Sequence, residues 1–253
     1  MKHFIDIKDI SSIDLRKIID RAKKRKLNRS KLGKSAADPN ALLDQKVLAM
    51  FFEQPSLRTR VSFDIAAKQL GGQTLILNKD DIHYGKGEES IHDTAKLISE
   101  YADVLMLRTI SHQNTIELAK HLKIPLINGL TNRSHPCQIL SDILTFEEIK
   151  GPILNSKIAW IGDSNNVLNS LIEASIKFKF ILNISCPKKY QPNKNILQWI
   201  QKNNGKVSLF SSPKDAVKEV DCVMTDKWIS INDKINKKKK KKDFKKFIVN
   251  SKL

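Results

Sequence analysis

The chain has 253 residues, 40% of them hydrophobic, enough to bury the cores of two domains of roughly 100–150 residues each. No apolar run approaches the roughly 20 residues of a membrane span, and the N-terminus Met1-Lys2-His3-Phe4-Ile5-Asp6 carries no secretory signal. A net charge of +18 raises nucleic acid as a partner, but aromatic content is only 6% and no aromatics interleave with the basic residues, so none is expected.

The chain then reads as an alternation of strands and helices. The apolar run Val47-Leu48-Ala49-Met50-Phe51-Phe52 is a buried strand. From Leu57 to Leu70, Val61, Ile65 and Leu70 fall near helical spacing, and Gly71-Gly72 stops that helix. A strand follows at Thr74–Leu77, a helix at Thr94–Tyr101 and a strand at Val104–Leu107. Next come a helix at Thr115–Leu122 and a strand at Pro125–Asn128. A long helix from Pro136 to Ile149 ends at Gly151-Pro152 and links to a second domain, where Lys157–Asp163 restarts the rhythm. Further strands are expected at Phe180–Cys186, Val207–Phe210 and Cys222–Thr225. Lys237–Lys242 is an unbroken lysine run, read as a solvated surface loop because like charges that dense repel. The expected class is α/β: two doubly wound parallel-sheet domains, residues 1–150 and 151–253, joined by the helix at 136–150. Cys137, Cys186 and Cys222 are odd in number and far apart, so neither a metal pair nor a disulfide framework is expected, and the cytoplasm is the expected compartment.

Three segments carry chemistry. In Phe52-Glu53-Gln54-Pro55-Ser56-Leu57-Arg58-Thr59-Arg60 a strand ends, a turn follows and a helix begins. Such a helix tip offers unpaired N–H groups and a partial positive charge, to which Ser56, Thr59 and Arg58 add donors suited to phosphate oxygens. Read alone, the segment is better explained as an ordinary serine N-cap on a surface helix with two solvated arginines, since capping is common. In His135-Pro136-Cys137-Gln138 a histidine and a glutamine open a helix and can both reach a carbonyl or an amide, though proline in a first helical turn is also common structure. Arg108 follows the strand Val104–Leu107, at the end where parallel sheets bind ligands.

Together these segments resemble the aspartate/ornithine carbamoyltransferase superfamily. Its carbamoyl phosphate motif Ser-x-Arg-Thr-Arg is matched by Ser56–Arg60, and its His-Pro-x-Gln motif by His135–Gln138. Gly87-Glu88-Glu89-Ser90-Ile91-His92-Asp93-Thr94-Ala95 resembles the loop and helix before the arginine-bearing strand. Cys137 at the variable position is typical of the ornithine type. The resemblance implies that Ser56, Leu57, Arg58, Thr59, Arg108, His135 and Gln138 bind carbamoyl phosphate, with Arg58, Arg108 and His135 catalytic. It places the ornithine site at Asn166, for the carboxylate, and at Asp226 and Ser230, for the α-amino group. Ile231 lies beside them, where methionine is common in the family. No metal or cofactor is expected, since cationic and hydrogen-bonding groups can stabilise the developing charge. The acceptor amine must shed a proton first, so activity is expected to rise towards alkaline pH.

The resemblance further implies a cytoplasmic homotrimer serving arginine biosynthesis, with a neighbour's loop around His83 to Ser90 completing each site. A larger departure from the family than Ile231 is that no His-Cys-Leu-Pro segment occurs. A second domain lacking its last strand and C-terminal helix is expected, with the Cys222–Thr225 strand left as an edge and the chain weakly active or inactive. Alternatives are a sister enzyme with another amine acceptor, a ligand-binding remnant without turnover, or a nucleic-acid binder using the lysine run.

Overall fold

Residues 2–79, 90–229 and 237–253 are described by a computed structural model of the chain. They form two units: Met1–Ile10 with Lys17–Cys137, and Ser11–Arg16 with Gln138–Leu253. The divisions fall inside two helices, α1 (Ser12–Asn28) and α5 (Pro136–Lys150).

The first unit is built on four parallel strands, β1 (Val47–Phe52), β2 (Gln73–Asn78), β3 (Val104–Arg108) and β4 (Leu126–Leu130), in the order β2-β1-β3-β4. Its helices are α2 (Leu57–Gln69), α3 (Ile91–Tyr101) and α4 (His112–His121). Period-2 alternation sorts β1 onto two cores, since successive strand side chains point to opposite faces. Ala49 and Phe51 join Leu105, Leu107 and Leu126 against Ala95 and Ile98 of α3 and Leu118 of α4. Leu48, Met50 and Phe52 join Met106 and Ala67 of α2 on the other face. Both faces are covered, which is why β1 reads as a continuous apolar run. The chain start adds itself beside β4: Phe4 N–H donates to Leu126 O at 2.7 Å and Phe4 O accepts from Asn128 N–H at 2.8 Å.

Gly71 ends α2 at φ +85°, where a Cβ would meet that of Ala41 at 2.5 Å, so both conformation and space require glycine. The stripe Leu57, Val61, Ile65 on α2 is not buried by its own chain: the three are 79%, 51% and 39% exposed.

The second unit repeats the plan with β5 (Lys157–Ile161), β6 (Ile181–Ser185), β7 (Val207–Leu209) and β8 (Cys222–Met224), all parallel, in the order β7-β6-β5-β8. Helices α6 (Asn166–Phe178), α7 (Lys194–Lys202) and α8 (Pro213–Ala216) connect them. Among the described residues β8 pairs with β5 alone and forms an edge, as the sequence led one to expect. Both sheets are parallel and helix-covered, in agreement with the expected class.

One expectation fails. Lys237–Asp243 is a helix, α9, not a solvated loop. Lys240, Phe244 and Phe247 are spaced by four and three residues and are only 3%, 0% and 8% exposed, so the segment has a buried face that outweighs lysine repulsion. Among the described residues no helix is long and apolar enough to cross a membrane.

Candidate active site

In the first unit the predicted residues gather at the carboxyl ends of adjacent strands. β1 and β3 run in register to Phe52 opposite Arg108, so the turn into α2 and the arginine leave the sheet side by side. Ser56 occupies the N-cap of α2 in extended conformation, and its side chain accepts no capping hydrogen bond. The first turn of α2 has no acidic residue, so its positive end is not neutralised locally. Arg58 stands exposed on that turn beside the half-buried Thr59.

Arg108 ties two motifs together. Its Nη1 donates to Thr59 Oγ1 at 2.9 Å. Its Nε is buried, and among the described residues nothing accepts from it. Burial lowers its pKa from the ordinary 12.5, yet a guanidinium stays protonated in proteins. The strand pairing slips next to it, between Leu107 and Arg108. Gly129 of β4 lies at that slip, where a Cβ would come within 2.5 Å of Met106 Sδ, so glycine permits the close approach.

Glu53, to which the sequence reading gave no role, fixes the loop after Arg108. Its carboxylate accepts from Thr109 Oγ1 and, at 2.7 Å, from the Ile110 N–H, while its own N–H donates to Arg108 O at 2.9 Å. A glutamate at a strand end is the available signal, but it reads as surface without the fold.

His135 stands just before α5. Burial first, and the Arg108 charge second, lower its pKa from 6.5 to about 4. At neutral pH it is therefore a neutral imidazole that can polarise a carbonyl by hydrogen bonding, not by charge. Cys137 donates its Sγ–H to Asn128 O at 3.4 Å, and burial raises its pKa from 9.0 to about 12, so it is a packed thiol and no nucleophile.

The second unit holds the remaining predicted residues that are described. Gln138 lies on the first turn of α5, and its side chain hydrogen-bonds to Asp142 one turn on. Burial, and then the charge of Asp226, raise Asp142 from 3.8 to about 6 against the pull of that bond. Asn166 opens α6, but the bridge between the two acceptor motifs is its neighbour Asn165. Asn165 Oδ1 caps α6 by accepting from Val167 N–H at 3.0 Å and Leu168 N–H at 3.1 Å, and its Nδ2 donates to Asp226 Oδ2 at 2.8 Å. The Asn-Asn pair before an apolar helix carried that capping signal. Ser230 and Ile231 lie outside the described residues, as do Gly87–Glu89 and most of the loop around His83. Among the described residues no group of three or more His, Cys, Asp or Glu side chains is placed to hold a metal ion.

Comparison with known proteins gives this arrangement a family. Residues 2–148 match the carbamoyl-P binding domain of aspartate/ornithine carbamoyltransferase, and residues 154–253 match its Asp/Orn binding domain. Ornithine carbamoyltransferase from Mesorhizobium japonicum is 46% identical over 231 residues, which span 91% of this chain and 74% of that protein. The Rhizobium meliloti enzyme of the same name is 47% identical over the same shares. Among solved structures, ornithine carbamoyltransferase from Pyrococcus furiosus superposes with a TM-score of 0.91 at 36% identity, covering 99% of this chain and 80% of that one. Anabolic ornithine carbamoyltransferase from Campylobacter jejuni gives 0.89 at 34%, covering 100% and 81%. A transferase family that matches both halves in order accounts for the paired sheets and for the motifs at their strand ends, and the chain belongs to it: the aspartate/ornithine carbamoyltransferases, and among them the ornithine carbamoyltransferases.

Proposed function

We propose that the chain transfers the carbamoyl group of carbamoyl phosphate to the δ-amine of L-ornithine, giving L-citrulline and phosphate, in the cytoplasmic synthesis of arginine. The observation that carries this reading is the half-buried Arg108, bonded to Thr59 of the α2 tip, whose buried Nε has no acceptor among the described residues. A buried guanidinium N–H without an acceptor is costly unless an anion or carbonyl completes it. In this reading Ser56, Leu57, Arg58 and Thr59 hold the phosphate by side-chain and backbone donors at the helix tip. Arg108, the neutral His135 and Gln138 polarise the carbonyl or hold the carbamoyl amide. The neutral amine forms the new C–N bond, the C–O bond to phosphate breaks, the nitrogen gives up its extra proton to the departing phosphate, and those same donors stabilise the phosphate as it leaves. On the acceptor side Asn166 takes the α-carboxylate and Asp226 the α-ammonium, with Ser230 and Ile231 beside them. Asn165 fixes Asp226 and caps the helix that Asn166 begins. No metal or cofactor enters this chemistry.

Calorimetry tests the reading. Carbamoyl phosphate is expected to bind the chain, and L-ornithine to bind its carbamoyl phosphate complex more tightly than putrescine or aspartate. Equal affinity for putrescine would move the reading to a sister enzyme whose acceptor lacks an α-amino acid head, and no carbamoyl phosphate binding would end it.

We further propose that the chain self-associates as a homotrimer. The exposed stripe Leu57, Val61, Ile65 supports this, because three large apolar side chains at helical spacing on one helix face usually seek a cover. Sedimentation is expected to give three times the 28.8 kDa chain mass, and Val61→Asp with Ile65→Asp to give monomers of unchanged circular dichroism. A monomeric parent chain would refute the trimer.

A further inference from the structure

Of the six lysines in the run Lys237–Lys242, Lys240 is the one that goes inside, at 3% exposure, while the other five are exposed. A buried ammonium is strongly unfavourable unless paired. Lys240 Nζ lies 2.6 Å from Asp163 Oδ2 and 5.5 and 6.0 Å from the ring centroids of Tyr190 and Phe244. That is an ion pair roofed by two aromatic faces. Its helix is seated by Phe244 and Phe247, which pack with Ile161 of β5 and Ala216 of α8, and Phe244 stacks on Trp228 at 5.4 Å.

The partner Asp163 stands in the turn from β5 to α6. That turn is held by two backbone bonds and one side-chain bond: Gly162 N–H donates to Ser185 O at 3.1 Å, Ser164 N–H to Tyr190 O at 3.1 Å, and Trp160 Nε1–H to Asp163 O at 3.1 Å. Two residues on, Asn165 caps α6 and holds Asp226. Asp226, bound to Asn165, and Lys240, bound to Asp163, therefore both meet this turn.

We propose that Lys240 is a positioning residue for the acceptor side: its buried ammonium, paired with Asp163 beneath Tyr190 and Phe244, holds the turn that presents Asn165 and Asn166 and, through Asn165, Asp226. The claim rests on the reading above that assigns Asn166 and Asp226 to the amino-acid substrate. A lysine is suited to the task because its long apolar stem crosses the packed layer while its charge meets the carboxylate. Without the charge, Asp163 loses its ion pair at a carboxylate that is only 15% exposed, and the turn that this pair anchors is loosened.

The test replaces Lys240 in the whole chain by Met, which keeps the stem and removes the charge, and by Arg, which keeps both. Amide hydrogen exchange is read at Val167 and Leu168, the two N–H groups that Asn165 caps, and at β1 as a reference. L-ornithine and carbamoyl phosphate affinities are read by calorimetry. Lys240→Met is expected to speed exchange at Val167 and Leu168 about tenfold, with β1 unchanged. It is also expected to weaken L-ornithine about tenfold while carbamoyl phosphate stays within about twofold, and Lys240→Arg to keep every value within about threefold. Parental exchange at Val167 and Leu168 in the Met variant overturns the proposal. So does equal weakening of both ligands, which marks a general structural loss. A parent chain that binds no L-ornithine sinks the functional reading instead, while the exchange rates still decide whether Lys240 holds the turn. Should Lys240→Met fail to fold, the Asp163→Asn, Lys240→Met pair, which leaves no buried charge, carries the same measurements. Failure of both to fold overturns positioning in favour of a core role.

Discussion

Alanine at Arg108 is expected to weaken carbamoyl phosphate binding about a hundredfold, because a charge-assisted hydrogen bond contributes about 1.5–3 kcal/mol and the half-buried guanidinium would direct more than one donor at the ligand. Two features of the structure set this scale. The Nη1 bond to Thr59 fixes the side chain beside the α2 tip, so little ordering entropy remains to be lost on binding. The Nε is already desolvated, so a ligand oxygen that meets it displaces no strong hydration. Lysine at this position keeps the charge but loses the planar fork, and its binding should fall between the two. The same change has a second readout that needs no ligand. Arg108 is the smaller of the two influences that depress His135, and burial is the larger. In Arg108→Ala the imidazole should therefore titrate above about 4 but still below its ordinary 6.5, as followed by NMR. Carbamoyl phosphate binding within threefold of the parent, with His135 titrating unchanged, would show that the arginine lies outside the site.

What could be read before the fold was known depended on whether the signal was local. β1, β3 and β5 are buried through their middles, so their apolar runs were visible as runs. Ser56–Arg60 and His135–Gln138 were visible as motifs because each is one turn of chain. What escaped depends on partners distant in sequence. Glu53 looks like any polar residue after a strand until Thr109 and Ile110 arrive from 56 and 57 residues away. Asn165 outranked Asn166 as the bridge only once Asp226 came in from 61 residues on. The lysine run misled for the same reason. Six like charges read as solvated, and nothing local announces that Asp163, 77 residues earlier, neutralises one of them. The phenylalanines at positions 244 and 247 were the available hint, since with Lys240 they make a helical stripe. The exposure of Leu57, Val61 and Ile65 was equally invisible, because helical periodicity says which residues share a face but not what covers it.

The second large effect is expected far from the phosphate site, at Asp6. This carboxylate is 2% exposed and pairs with Arg133, with His112 Nε2 at 3.3 Å and with Lys8 at 3.6 Å. It thereby holds the loop that leads into His135, where Thr131 Oγ1 accepts from the Ser134 N–H at 3.2 Å and contacts His112 Nδ1 at 2.9 Å. Asp6→Asn keeps the shape and removes the charge, taking the anion from Arg133 and the carboxylate acceptor from His112. Breaking a fully buried pair costs about 3–5 kcal/mol, and Arg133 is 37% exposed, so a smaller loss of about 2 kcal/mol is expected in urea unfolding at pH 7. The pH dependence follows from the direction of the shift. Burial pushes the Asp6 carboxyl up, but hydrogen bonds from His112 and Ser134 and the charges of Arg133 and His112 outweigh it and hold the group far below its ordinary 3.8. A carboxylate whose folded pKa is depressed stabilises the fold fully above its unfolded pKa, and that stabilisation is lost as pH falls through the folded pKa. The gap between parent and Asp6→Asn should therefore be constant from pH 7 to about 5 and narrow only as the pH drops through about 4 and below. A gap that instead narrowed between pH 7 and 6 would mean that a histidine, and not Asp6, sets the acid sensitivity of this unit.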